Sequence, residues 1–60
     1  MTTADAYREG LAYGRRIAWV PTHPYDQERA LRLEVQLAGA RRLRRARALG
    51  ELRGYRQAQP

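Results

Sequence analysis

Gly10 and Gly14 stand four residues apart in "REGLAYG", and this spacing constrains the chain more than any other feature. Ala6, Tyr7, Gly10, Leu11, Gly14, Ile17 and Ala18 recur at intervals of three and four, the period of one helical face. Each glycine costs a helix interior roughly 1 kcal/mol relative to alanine. Two of them on the apolar face repay that cost only if another backbone comes close. The pattern therefore predicts a helix over residues 4–18 that packs tightly against a second helix. Thr2 and Thr3 are good N-caps, and Asp5 and Glu9 suit a helix N-terminus.

In "WVPTHPY", Pro21 and Pro24 disfavour the helical region at Val20 and His23. Residues 19–25 read as an ordered linker, with Trp19 and Tyr25 available to cover the core. Pro24 can serve as the first residue of a new helix. That second helix is expected over residues 26–49, with Gly50 as its C-terminal stop. Ala30, Leu31, Leu33, Val35, Leu37, Ala38 and Ala40 give its first half a broad apolar arc that can fold onto the first helix. Gly39 is either a point of close contact with the first helix or a break in the second. Residues 50–60, interrupted by Gly54, read as a frayed basic tail. The expected fold is thus all-α, with two helices, a proline-containing linker and a basic C-terminal extension.

Charge sharpens the picture. Residues 1–40 hold five arginines and five acids, whereas residues 41–60 hold seven arginines and Glu51 alone. The whole surplus of the +6 net charge lies in that second segment, a pattern of a neutral folding unit joined to a basic arm. All twelve basic residues are arginine, whose planar fork matches phosphate and stacks on bases, although a GC-rich genome gives the same bias. In "RRLRRAR", Arg41, Arg42, Arg44, Arg45 and Arg47 fall on at least three sides of a helix. A helix polar all round extends into solvent or into a partner.

Composition also excludes classes. Sixty residues make one domain, and a chain this short buries only about 60% of its unfolded surface. There is no cysteine for a disulfide, and His23 is the single histidine, so no zinc set is offered. No serine or cysteine nucleophile accompanies a base, which argues against an enzyme. Gly10 and Gly14 lack the preceding strand and lysine of a phosphate loop. No cofactor and no small-molecule substrate are called for. No apolar run approaches a membrane span, and "MTTADAY" lacks the charged and apolar regions of a signal peptide. The expectation is a cytoplasmic chain without a membrane partner.

The candidate nucleic-acid-binding residues are Arg41, Arg42, Arg44, Arg45 and Arg47, with Arg15, Arg16 and Tyr25. Tyr25, Trp19, Tyr13 and Tyr55 offer faces on which bases can stack, although for Trp19 and Tyr7 the favoured role is closing a small core. Five arginines neutralising phosphates would give log affinity against log salt a slope of roughly −3.5 to −4.5.

Three stretches together resemble the ribosome modulation factor family. They are "REGLAYG" at residues 8–14, "HPYDQ" at 23–27 and "QLAGARR" at 36–42. The resemblance spans residues 7–42 and carries over Gly10, Gly14, Pro24, Tyr25 and Gly39. Gln36 stands where the family has tryptophan, Ala40 where it has a second aromatic, and His23 where it has cysteine or asparagine. The resemblance implies two helices with an ordered linker. It also implies docking on the small ribosomal subunit near the 3′ end of its RNA, with translation repressed or inactive ribosome dimers promoted. A second reading is a small interaction protein, of the kind a phage encodes, whose arginines meet an acidic protein surface, inhibiting a host enzyme such as RNA polymerase or a nuclease. A DNA-binding module ranks last, because two helices alone make a poor helix-turn-helix.

Overall fold

The computed structural model describes residues 1–20 and 24–59, and it is all-helical over those residues. Three helices form: α1 (Thr3–Ile17), α2 (Pro24–Ala38) and α3 (Arg42–Ala58). The linker expected at 19–25 is described only at its two ends; Pro21, Thr22 and His23 lie outside the described residues.

α1 matches the expected helix to within a residue at each end. The Asp5 amide donates to Thr2 Oγ1 at 3.1 Å, and the Thr2 amide donates to Asp5 Oδ2 at 3.2 Å. This reciprocal capping box satisfies two amides that the first turn leaves without helical partners. Arg15 and Arg16 sit in the last turn, where the helix dipole favours cations.

The helix expected over 26–49 is two helices. Gly39 adopts φ +55°, a left-handed conformation that ends a helix at little cost only for glycine. The Arg41 amide then bonds the Ala38 carbonyl at 3.0 Å, and Arg41 is extended before α3 begins. No atom lies within 4 Å of the place a Gly39 Cβ would take, so Gly39 is a turn residue rather than a contact point. The expected stop at Gly50 and frayed tail beyond it are likewise replaced. α3 runs through both glycines to Ala58, with Gly50, Glu51, Gly54 and Tyr55 buried.

α2 folds back on α3 as an antiparallel hairpin. Glu28 near the start of α2 meets Arg56 near the end of α3 at 2.6 Å, and Leu37 near the end of α2 borders the same groove as Arg44 and Ala48. α1 packs on α3 too, in parallel. Gly10 faces the backbone of Arg47 and Glu51, Gly14 faces Glu51 and Tyr55, and Arg15 donates to Gln57 at 2.9 Å. α1 and α2 each pack on α3 and not on each other. The apolar arc of α2 was expected to fold onto α1; α2 packs on α3 instead, because the Gly39 turn delivers it to the next helix in the chain. Of the arc only Leu31 and Ala38 are buried and Val35 half-buried, while Ala30, Leu33, Leu37 and Ala40 stay exposed.

The α1–α3 contact is made of backbone. A Cβ on Gly10 would strike the Arg47 carbonyl, and one on Gly14 the Glu51 carbonyl. A Cβ on Gly50 would strike the Tyr7 carbonyl, and one on Gly54 the Leu11 carbonyl. Two glycine pairs at the same spacing thus interlock. The buried apolar residues are small or few: Ala6, Leu31, Ala38, Ala48 and Tyr55. Contacts between packed backbones supply dispersion energy that large side chains give elsewhere. Trp19, expected to help cover the core, is 82% exposed. No helix among the described residues is long and apolar enough to cross a membrane.

Candidate nucleic-acid interface

The arginine-rich stretch spans the α2–α3 turn and the first turns of α3. Arg41, Arg42, Arg44 and Arg45 are exposed. The ion pairs among the described residues are Arg8–Asp5, Arg47–Glu51 and Arg56–Glu28, and these four arginines join none of them. α3 has no acid in its first turn, and its N-cap residue Arg41 makes no side-chain cap. The positive end of the helix dipole therefore adds to the arginines instead of offsetting them. Among the described residues no carboxylate pairs with any of these four arginines.

Arg47 differs from its neighbours. Its Nε lies 3.3 Å from Glu51 Oε2, so it is committed to an internal carboxylate. Glu51 is only 7% exposed, in the seam between α2 and α3. Burial, and next a hydrogen bond with Glu34 of α2, push its carboxyl up to about 7 against the opposing pull of Arg47. The stretch is also not the free extension expected of it. Ala46 is half-buried, Ala48 is buried, and the Arg47 carbonyl lies beneath Gly10.

The remaining expected site residues lie elsewhere. Arg15 and Arg16 close α1, and Tyr25 opens α2. The Arg15–Gln57 and Glu28–Arg56 bonds bring both of those ends to the C-terminal end of α3. They are a helix length from Arg42, about 25 Å for seventeen residues at 1.5 Å each. The eight residues fall in two clusters, not one.

Folding likewise divides the charge that the sequence concentrates after residue 40. The level of the Glu34–Glu51 pair separates two ends. Towards the turn lie Arg8, Arg41, Arg42, Arg44, Arg45 and Arg47, with Asp5 and Glu9. Towards the other end lie Arg15, Arg16, Arg29, Arg32, Arg53 and Arg56, with Asp26 and Glu28. Six arginines face two acids at each end, so the formal surplus is equal, and the Glu34–Glu51 pair lies between them.

Sequence reasoning missed the contributions of Arg29, Arg32 and Arg53 and the carboxyl pair. Two signals could have found them. "GELRG" repeats the four-residue glycine spacing of "GLAYG" and marks a second close-packing helix. Glu51 is the single acid among seven arginines, which marks it as an internal partner. Among the described residues no group of three or more His, Cys, Asp or Glu is placed to hold a metal ion.

Comparisons with protein-family models, with curated proteins and with solved structures find no match.

Proposed function

We propose that this chain is an RNA-binding regulator that docks on the small ribosomal subunit and lowers translation, either by repression or by promoting hibernating ribosomes. One observation carries the RNA-binding reading: Arg41, Arg42, Arg44 and Arg45 crowd one end of the molecule with no ion-pair partner among the described residues. Crowded like charges cost stability, and a polyanion relieves that cost by releasing its own counterions. Arginine's fork suits phosphate, and its plane stacks on exposed bases. The ribosomal target rests on the resemblance of "REGLAYG", "HPYDQ" and "QLAGARR" to the ribosome modulation factor family. Gly10, Gly14 and Gly39 have scaffold roles that fit it: two permit close packing and one turns the chain.

The test is sedimentation of lysate through a sucrose gradient. The wild-type chain is expected with 30S, 70S or 100S particles, and a variant with Arg42, Arg44 and Arg45 changed to Gln is expected at the top of the gradient. Co-migration of that variant with ribosomal particles at wild-type occupancy would sink the reading.

A second reading is favoured by Leu33 and Leu37, exposed four residues apart on α2. Such a stripe suits a protein partner, here an acidic surface of a host enzyme such as RNA polymerase or a nuclease. A pull-down with and without ribonuclease separates the two: a partner retained after ribonuclease selects this one. The DNA-binding reading gains a third helix but not the geometry, since α2 and α3 form an antiparallel hairpin rather than helices crossed at a wide angle.

A further inference from the structure

We propose that the molecule is bivalent for RNA, holding the phosphate backbone of a paired segment at its turn end and an unpaired segment at the other. The inference rests on the RNA-binding reading and adds to it a second, chemically different site.

The two ends share a charge surplus but differ in what accompanies it. The turn end offers arginines with no exposed aromatic among them; its large exposed apolar side chains are Met1, Leu37, Leu43 and Leu49. Arginines alone match the regular phosphates of a duplex, whose bases are stacked inside. At the opposite end Trp19 is 82% and Tyr25 66% exposed. Trp19 is held just past α1 by the hydrogen bond its amide donates to the Arg16 carbonyl at 3.2 Å, and Tyr25 borders a groove with Glu28, Arg29 and Arg32. Exposed rings beside arginines form the pairing that unpaired bases use, the ring stacking on the base and the guanidinium meeting the phosphate. Neither ring contributes to the core, so both are free for a ligand without cost to the fold.

Separation makes the two sites independent. The molecule extends 30 Å along its longest axis, and the Glu34–Glu51 level lies between the ends. A single strand or duplex that covers one end leaves the other open. The parallel packing of α1 on α3 is what creates this arrangement: it sends Arg16 and Trp19 to the end of α3 farthest from Arg42.

The experiment uses the full chain, a blunt RNA duplex with one fluorophore and an unstructured pyrimidine-rich oligonucleotide with another. Energy transfer and native mass spectrometry read whether both ride on one chain. The expected result is a complex of one chain with both RNAs. Changing Trp19 and Tyr25 together to Ala is expected to weaken oligonucleotide binding about tenfold or more while duplex affinity holds. Changing Arg42, Arg44 and Arg45 to Gln is expected to do the reverse. If the duplex displaces the oligonucleotide, or if joint complexes contain two chains, bivalency is overturned while RNA binding stands. If the wild-type chain binds neither RNA, both readings fall. Joint capture by the Trp19→Ala, Tyr25→Ala variant at wild-type strength would overturn the assignment of the aromatic end.

Discussion

Gly14 faces the backbone carbonyl of Glu51 with no room between them for a side-chain carbon. The obstacle is backbone, so it cannot rotate aside as a side chain would. Alanine normally favours a helix over glycine by roughly 1 kcal/mol, and here overpacking of about 1–3 kcal/mol opposes it with no route for relaxation. Gly14→Ala, and likewise Gly10→Ala or Gly50→Ala, is expected to destabilise the fold, lowering the melting temperature by roughly 5–10 °C in a domain this small. Thermal unfolding followed by circular dichroism checks it; a melting temperature that rises would show that α1 and α3 do not pack through these glycines.

Gly39 makes the opposite kind of demand. There is open space around it, but its φ of +55° penalises any side chain with a Cβ. Gly39→Ala is expected to lose about 1 kcal/mol, and Gly39→Asn less, because asparagine tolerates the left-handed region. Equal stability of all three would mean that the turn between α2 and α3 has another conformation in solution.

Glu51 predicts a pH dependence. Its carboxyl is raised from 4.5 to about 7, chiefly by burial and next by Glu34. Between those values the folded chain keeps a proton that the unfolded chain has released, so stability falls as pH rises through that window. Asp5, held low by its bonds to Thr2 and then Arg8, and Glu28, held low by Arg56, act in the opposite sense at more acid pH. Melting temperature measured at pH 5 and pH 8 is expected to be lower at pH 8, and Glu51→Gln is expected to narrow the difference. An unchanged difference in the variant would place the titrating group elsewhere.

Salt tests the turn end. With Arg47 committed to Glu51, four arginines remain free for phosphate, and log affinity for structured RNA should fall with log salt at roughly −2.8 to −3.6. Arg44→Gln should make the slope shallower by roughly 0.7 to 0.9, whereas Arg47→Gln should alter stability more than slope. Equal effects of the two changes on slope would show that Arg47 also reaches phosphate.

Helix content, the first helix and the start of the second were legible in the sequence because they depend on local rules. Thr2 caps because its hydroxyl reaches the Asp5 amide three residues on, and Pro24 opens α2 because its ring fixes φ and lacks an amide hydrogen. The close approach announced by Gly10 and Gly14 was legible too, but its partner was not. Whether Gly39 continues a helix or turns it depends on whether packing on both sides rewards the turn, and the reward comes from residues far along the chain. Once Gly39 turned, α3 rather than α2 met α1, and Gly50 and Gly54 became contacts rather than breaks. The charge reading shifted for the same reason. Sequence order placed the positive surplus after residue 40, while a parallel α1 and an antiparallel α2 carried Arg15, Arg16, Arg29 and Arg32 to the far end of α3. Local geometry is set by neighbours three and four residues away, which the sequence states directly. The distribution of charge in space is set by which helices touch and in which direction, and only the packed fold decides that.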